Sequence, residues 1–488
     1  MKNLRSFTIY ILIAVMIVTY FVPCASALDD PEAECKAAII TDIASGQILY
    51  SKNPYDRLYP ASLTKIVTAM VVIDAINSGD VSLSDTVEFS ENAFFDIGKD
   101  ISTYKFQAGE RVKLEDLLYC IIMTSANEPC NALAEHVSGS VEAFVRKMND
   151  RVAGLGCNMT NYGNTHGLPS ELNYTTAYDQ SIIIADAMDD QLFSKIAATE
   201  TYKISATAFA EERELTSSNN LIRSASSYYY EYVQGGKTGY TNAAGFCLSS
   251  IAQRGEMRLA CVVLGAESVI QDSGKPLIKS FSETRRLYRW AFNNFNYRSI
   301  VSTLDLLKEI PVELGEGTGT VVLRPEKNII ALTSNDVDIS QVQYNIRIYS
   351  DEGAEPLTAP VSAGDVLGEA EVTLAGVNYG KVKLVANSSV ALDRNKYIGR
   401  EIKNTLNNVY VKLAIFIIIA IFILYIAFIM IYNIRRKQDK EQADKLARER
   451  IEEIRAKERQ LNSGKTFEEI ERRHAREESA AATRKPRK

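Results

Sequence analysis

Apolar positions along the chain fall into blocks of different period, and each block predicts an element. Residues 7–22 are almost wholly apolar; Lys2 and Arg5 precede them, Pro23 breaks them and Ala25-Ser26-Ala27 closes them. A positive start, an apolar core and a small-x-small end predict a secretory signal over 1–27, with the mature chain beginning at Leu28. Cys24 would suit a lipoprotein signal, but Pro23 fits that poorly. Residues 37–49 hold two short apolar runs around Ala44-Ser45-Gly46, which predicts two strands and a turn. The run from Ile66 to Ile73 carries Ala69 and Met70 as well as β-branched residues, so 58–75 predicts a buried helix. Pro60 and Ser62 are its start signals. Residues 81–109 are mixed and turn-rich. Residues 114–137 predict two helices meeting at Ser125-Ala126-Asn127, and 176–187 a further helix. Residues 257–265 read as a strand buried on both faces, and 282–295 as an amphipathic helix that closes the first domain.

After Tyr297 the period shortens. Alternating runs at 320–323, 342–349, 370–374 and 380–385, separated by Gly, Asn, Asp and Pro, predict a small all-β, sandwich-like domain over 297–400. It holds no His and no polar cluster suited to catalysis, so its expected role is that of a stalk or spacer. Residues 413–432 carry no charge. At about 1.5 Å rise per residue they reach about 30 Å, one hydrocarbon thickness, and predict a transmembrane helix within 411–434. Arg435, Arg436 and Lys437 follow directly, which marks that end as cytoplasmic and leaves the preceding part outside the cell membrane. Residues 435–488 are dense in Arg, Lys and Glu, and their i,i+4 pairs predict a solvated helix fading into disorder. Apolar positions there are too sparse for a clear heptad, and a cytoplasmic partner of the tail stays open.

The length of 488 residues and a hydrophobic content of 46% allow two or three domains with sizeable cores. Net charge is −6, and no basic patch interleaves with aromatics, which argues against nucleic-acid binding. Of seven cysteines, Cys24 leaves with the signal. Cys120, Cys247 and Cys261 sit in apolar stretches and are expected as buried thiols. Export permits disulfides, so one bridge among these and Cys35, Cys130 and Cys157 stays open. Cysteine spacings match no zinc pattern, and His136, His166 and His474 do not make a metal site. No cofactor is expected.

The candidate chemistry begins at Ser62 and Lys65. A spacing of three stacks them on one helix face. An apolar setting makes the lysine easier to deprotonate, and a neutral amine beside a hydroxyl is a base–nucleophile pair. Free amides at the helix start favour negative charge developing near Ser62. Ser-x-x-Lys arises often by chance, and Ser102 with Lys105 is a second copy, set aside because no buried helix follows it. Ser62 has company: Ser125-Ala126-Asn127 after an apolar segment, then Lys237-Thr238-Gly239 within GGKTGYTNAAGF. No Gly-x-Ser-x-Gly elbow occurs, so His166 reads as a structural loop residue and His136 as a helix-face residue.

These three elements in this order resemble the active-site set of penicillin-binding proteins and serine β-lactamases. The closest likeness is to the low-molecular-mass D-alanyl-D-alanine carboxypeptidases, over residues 31–296. Asn164-Thr165-His166-Gly167-Leu168 and Ala244-Gly245-Phe246-Cys247-Leu248 add to it, although Thr165 stands where a proline is expected. The resemblance implies an α+β, transpeptidase-like domain with an antiparallel sheet flanked by helices, then the β domain. It implies Ser62 as the nucleophile, Lys65 as the proton acceptor, and Ser125 as a hydrogen-bond partner of Lys65 that relays a proton to the leaving amine. Asn127 would orient Lys65 and the substrate amide. Lys237 and Thr238 would bind a terminal carboxylate, Gly239 would let the backbone approach, and the amides of Ser62 and Tyr240 would form the oxyanion hole. Peptidoglycan stem peptides ending in D-Ala-D-Ala would lose D-alanine, and β-lactams would acylate Ser62. The full span and long tail depart from the amphipathic surface helix frequent in such enzymes.

Two other readings remain. A serine β-lactamase shares the motifs, but the class A glutamate four residues before an asparagine is missing: Pro169 stands four before Asn173. A non-catalytic, membrane-anchored penicillin-binding receptor would explain the tail.

Overall fold

The structure, a computed structural model, describes residues 28–98, 103–271, 276–353, 356–461 and 467–481. The expected signal over 1–27 and Ser102 lie outside the described residues. The chain divides into two compact units. One comprises Met1–Lys308, Val322–Gly353 and Gly364–Asn387; the other comprises Glu309–Val321, Ala354–Ala363 and Ser388–Lys488.

The first unit is built on a five-stranded antiparallel sheet. Its strands are β1 (Ala37–Asp42), β2 (Ile48–Lys52), β3 (Val233–Thr241), β4 (Gly245–Arg254) and β5 (Met257–Ala266), in the order β2-β1-β5-β4-β3. β1 therefore pairs with a strand more than two hundred residues away, with Ile39 opposite Val262. β1 and β5, two of the three inner strands, carry apolar runs at 37–40 and 259–264 because both their faces are covered. Ala37, Ile39, Ala260 and Val262 point into a core shared with helices, while Ala38, Ile40, Cys261 and Val263 point into a second core on the other face. The second core is closed by the helix Lys279–Asn294, whose Leu287, Tyr288, Ala291 and Phe292 are spaced for one helical face.

In the first core lie α1 (Thr64–Asn77), α2 (Leu114–Tyr119), α3 (Glu128–Ser138), α4 (Val141–Gly154) and α5 (Ala177–Asp189). α1 is buried almost all round, from Thr64 to Ile73 and again at Ala75, so its sequence shows a run rather than a stripe. It starts later than the pattern suggests. Pro60 opens a single 3₁₀ turn, Ala61–Leu63, with Ala61 in the left-handed region at φ 47°, and the α-helix follows from Thr64. The two helices expected over 114–137 are there, but Cys120–Thr124 between them is wound as a π-helix. All six described cysteines are unpaired thiols, and Cys35 alone among them is only partly buried.

After the closing helix, Phe295–Val301 pairs with Ile329–Ser334. In the same unit Gln343–Ile348, Val366–Leu374 and Val377–Ala386 follow one another as antiparallel neighbours. Their alternating burial reflects one covered face.

In the second unit, Arg394–Asn407 is a helix not anticipated above. Asp393 caps it by accepting from the amides of Asn395 and Lys396, and Ile398, Ile402 and Leu406 form an exposed apolar row. Val409–Leu461 follows as one helix of 53 residues, long and apolar enough in its first part to cross a membrane. Phe467–Ala481 is also helical.

Candidate active site

The 3₁₀ turn carrying Ser62 lies against β3, the edge strand that carries Lys237-Thr238-Gly239. A Cβ added to Gly239 would sit 3.2 Å from the Ser62 amide nitrogen and 3.2 Å from the Pro60 carbonyl, so a side chain there would push strand and turn a few tenths of an ångström apart. The backbone of Gly239 thereby stands beside the Ser62 amide. Tyr240 is half exposed, and its ring lies tilted against Phe246.

Lys65 follows one turn after Ser62 and is fully buried. Its Nζ donates to Ser62 Oγ at 3.0 Å, to Asn127 Oδ1 at 2.8 Å and to the His166 carbonyl at 2.6 Å. Burial lowers its pKa from 10.5 to about 8, opposed by the nearby Cys130 and Glu128. Lys237 is fully buried too. Its Nζ donates to Ser125 Oγ at 3.0 Å and to the Thr238 carbonyl at 2.8 Å. Burial, and then the Lys65 charge, hold its pKa well below the ordinary lysine value. Among the described residues neither amine has an ion-pair partner. Two lysines kept from water without a counter-ion are both biased toward the free amine.

Ser125 reaches this position through backbone strain. The π-turn Cys120–Thr124 ends with Ser125 in the left-handed region, φ 65°, uncommon for a residue with a Cβ. Thr124 Oγ1 donates back to the Cys120 carbonyl at 2.9 Å and helps fix the turn. Asn127 then leads directly into α3. Its Oδ1 is held by Lys65, while its Nδ2 is buried without a partner in the protein, a donor free for a ligand's carbonyl.

All eight residues singled out in the sequence thus lie within one constellation, with two differences of wiring. Ser125 accepts from Lys237 rather than from Lys65, because the left-handed turn aims its hydroxyl at β3. Lys237 points inward and its charge is disfavoured, so it is no solvent-facing cation. Sequence reading passed over three further participants. Ser218 shares a 2.7 Å hydrogen bond with Thr238 Oγ1, yet it sits in a stretch, TSSNN, that matches no motif. The His166 carbonyl holds Lys65, and a backbone oxygen leaves no trace in residue type. Glu128, buried next to Asn127, accepts from the Tyr104 amide at 3.2 Å. The His166 ring itself is driven to the neutral form, its pKa down to about 3, by burial and by Lys65; its Nδ1 accepts from the Leu168 amide. It is not the base for Ser62.

Residues 25–268 match the family model described as D-alanyl-D-alanine carboxypeptidase. The chain is similar to D-alanyl-D-alanine carboxypeptidase DacF of Bacillus subtilis, 30% identical over 75% of this chain and 89% of the relative. It is also similar to D-alanyl-D-alanine carboxypeptidase DacC of Escherichia coli, 30% identical over 78% of this chain and 90% of the relative. Among solved structures, penicillin binding protein 5 from Haemophilus influenzae superposes with a TM-score of 0.54 at 28% identity, covering 75% of this chain and 100% of the other.

Proposed function

From the premise that the chain belongs to the D-alanyl-D-alanine carboxypeptidase family, we propose that Ser62 is the nucleophile through which it cleaves peptides ending in D-Ala-D-Ala. The protein is a serine-type D-Ala-D-Ala carboxypeptidase, a hydrolase working through an acyl-enzyme. One observation carries the assignment of roles: a fully buried amine, Lys65, bonded at once to Ser62 Oγ and Asn127 Oδ1.

Lys65 in its free-amine form takes the proton from Ser62 Oγ as the oxygen attacks the carbonyl carbon of the penultimate D-alanine. The amides of Ser62 and Tyr240 stabilise the oxyanion, an interaction of roughly 3 kcal/mol per donor in comparable sites. The C–N bond breaks, and the proton taken by Lys65 passes to the departing amine. Asn127 Nδ2 holds the substrate carbonyl. Thr238 and Ser218 offer hydroxyls to the terminal carboxylate, and its approach draws a proton onto Lys237. Water then gives its proton to Lys65 and its hydroxide to the acyl carbon, and Ser62 recovers its hydrogen.

The natural substrate on this reading is the peptidoglycan stem peptide, and β-lactams occupy the same site. Membrane anchoring by the apolar part of Val409–Leu461 fits a wall enzyme. We place the catalytic part outside and the basic tail at the cytoplasmic face. A β-lactamase reading has less support, since Glu171, in the loop where an activating glutamate would be sought, is exposed. The test is labelling with a fluorescent penicillin together with assay of D-alanine release from a pentapeptide. A covalent band and D-alanine release, both lost in Ser62→Ala, are expected. Equal labelling of the two proteins removes Ser62 from the mechanism.

A further inference from the structure

The loop Asn164-Thr165-His166-Gly167-Leu168 is stitched to the site more heavily than a passive connection needs. Asn164 Oδ1 accepts from the Gly167 amide at 2.7 Å, and Asn164 Nδ2 donates to the Leu168 carbonyl at 3.1 Å, which closes the loop on itself. Gly167 has φ 84°, and a Cβ there would lie 1.9 Å from the Ala61 carbonyl oxygen, directly before Ser62. Two successive loop carbonyls bind two side chains one turn apart on α1. The His166 carbonyl takes Lys65 at 2.6 Å, and the Thr165 carbonyl takes Thr68 Oγ1 at 2.6 Å. Residues at i and i+3 share a helix face, so the loop lies along α1 on two rungs.

Thr165 adds a third tie, to a different helix. It is fully buried, and its Oγ1 donates to Asn131 Oδ1 at 2.6 Å. Asn131 stands on α3, one turn after Asn127, and its Nδ2 donates to the carbonyls of Ala93 at 3.4 Å and Phe95 at 3.3 Å. Those two bonds fix the amide orientation and leave Oδ1 for Thr165 alone. One residue therefore joins α1, which carries Lys65, to α3, which begins beside Asn127. A proline or an apolar residue at 165 offers no donor and leaves Asn131 Oδ1 buried and unpaired.

Resting on the roles proposed above, we infer that Thr165 is a positioning residue: its hydroxyl fixes the loop so that the His166 carbonyl holds the Lys65 amine on Ser62. It touches neither substrate nor Ser62. The groups facing Lys65 are Glu128 and Cys130 from α3, His166 from the loop and Lys237 from β3. Thr165 contacts none of these side chains by hydrogen bond, so its effect runs through the carbonyl. A carbonyl oxygen favours the ammonium form; a misplaced carbonyl lowers the lysine pKa further and leaves the amine less well aimed.

The experiment measures acylation by a fluorescent penicillin in the full chain, resolved into the binding constant and the rate at saturation, from pH 6 to pH 10. Thr165→Val removes the hydroxyl at constant shape, and Thr165→Ser keeps it. In Thr165→Val the saturating rate is expected to fall about tenfold, the order of effect of a misaimed catalytic group, with binding changed less than about twofold. Its acid limb moves to lower pH, and Thr165→Ser restores both rate and limb. If Thr165→Val does not fold, Thr165→Cys, a weaker donor of similar size, takes its place with the same expectation. A wild-type rate and limb in the variant lacking the donor, or no recovery in Thr165→Ser, overturns the inference. Ser62→Ala separates the two proposals. Loss of label there, with Thr165→Val unchanged, overturns this inference alone; label retained in both overturns both.

Discussion

Burying Lys65 without a carboxylate in ion-pair contact is a stability cost with a functional return. Its folded pKa of about 8 lies below the 10.5 of an exposed lysine. Between those values the unfolded chain binds more protons than the folded one, so this group makes stability rise with pH there, and its cost is fully present below pH 8. The shift corresponds to about 3 kcal/mol, as an order of magnitude. Lys65→Met is therefore expected to abolish acylation, and its melting temperature relative to wild type should decline from pH 7 to pH 9.5. A constant difference between the two proteins across that range would contradict a depressed lysine. Wild-type acylation should climb as pH rises toward 8, because the free amine is the base. The side chains of this site were legible in the sequence, since Ser62, Lys65, Ser125, Asn127 and Lys237 announce themselves by type and order. Ser218 and the His166 carbonyl were not. One is an ordinary serine brought in by tertiary folding, and the other is a backbone oxygen.

The strands and helices hold these groups by strain and close approach as much as by burial. Gly167→Ala should be among the most damaging single changes. Its Cβ would meet the Ala61 carbonyl at 1.9 Å, and φ 84° disfavours any side chain. A destabilisation of at least about 2 kcal/mol is expected in urea, together with loss of penicillin labelling. A wild-type unfolding midpoint would show that the loop has room to move. By contrast Tyr288→Phe, on the closing helix, tests packing far from the chemistry. It removes the phenol that donates to the Ser250 carbonyl at 2.7 Å and should cost about 1–2 kcal/mol with acylation unchanged. Period told strand from helix correctly where one side was covered. It also exposed the doubly buried strand β5, because a run with no alternation implies cover on both sides. It gave no warning of the π-turn before Ser125, whose wider winding leaves no mark in the apolar pattern. Arg394–Asn407 was missed because its apolar row, Ile398, Ile402 and Leu406, is sparse and follows directly on strands.

At the scale of the whole chain, a polar enzyme is joined to one apolar helix and a charged extension. In right-side-out vesicles, added protease should destroy penicillin labelling while leaving the 435–488 segment as a protected fragment detectable by a C-terminal tag. Digestion of the tag under those conditions would reverse the orientation. Val409–Leu461 runs from the apolar stretch into the charged one as a single helix. Past Tyr432 it continues for about 40 Å at 1.5 Å per residue. The charged part thus extends the apolar stretch as a stiff lever arm rather than a slack tether. The charged end of this helix therefore stands at a fixed distance from the apolar stretch, and any tilt of that stretch swings it sideways.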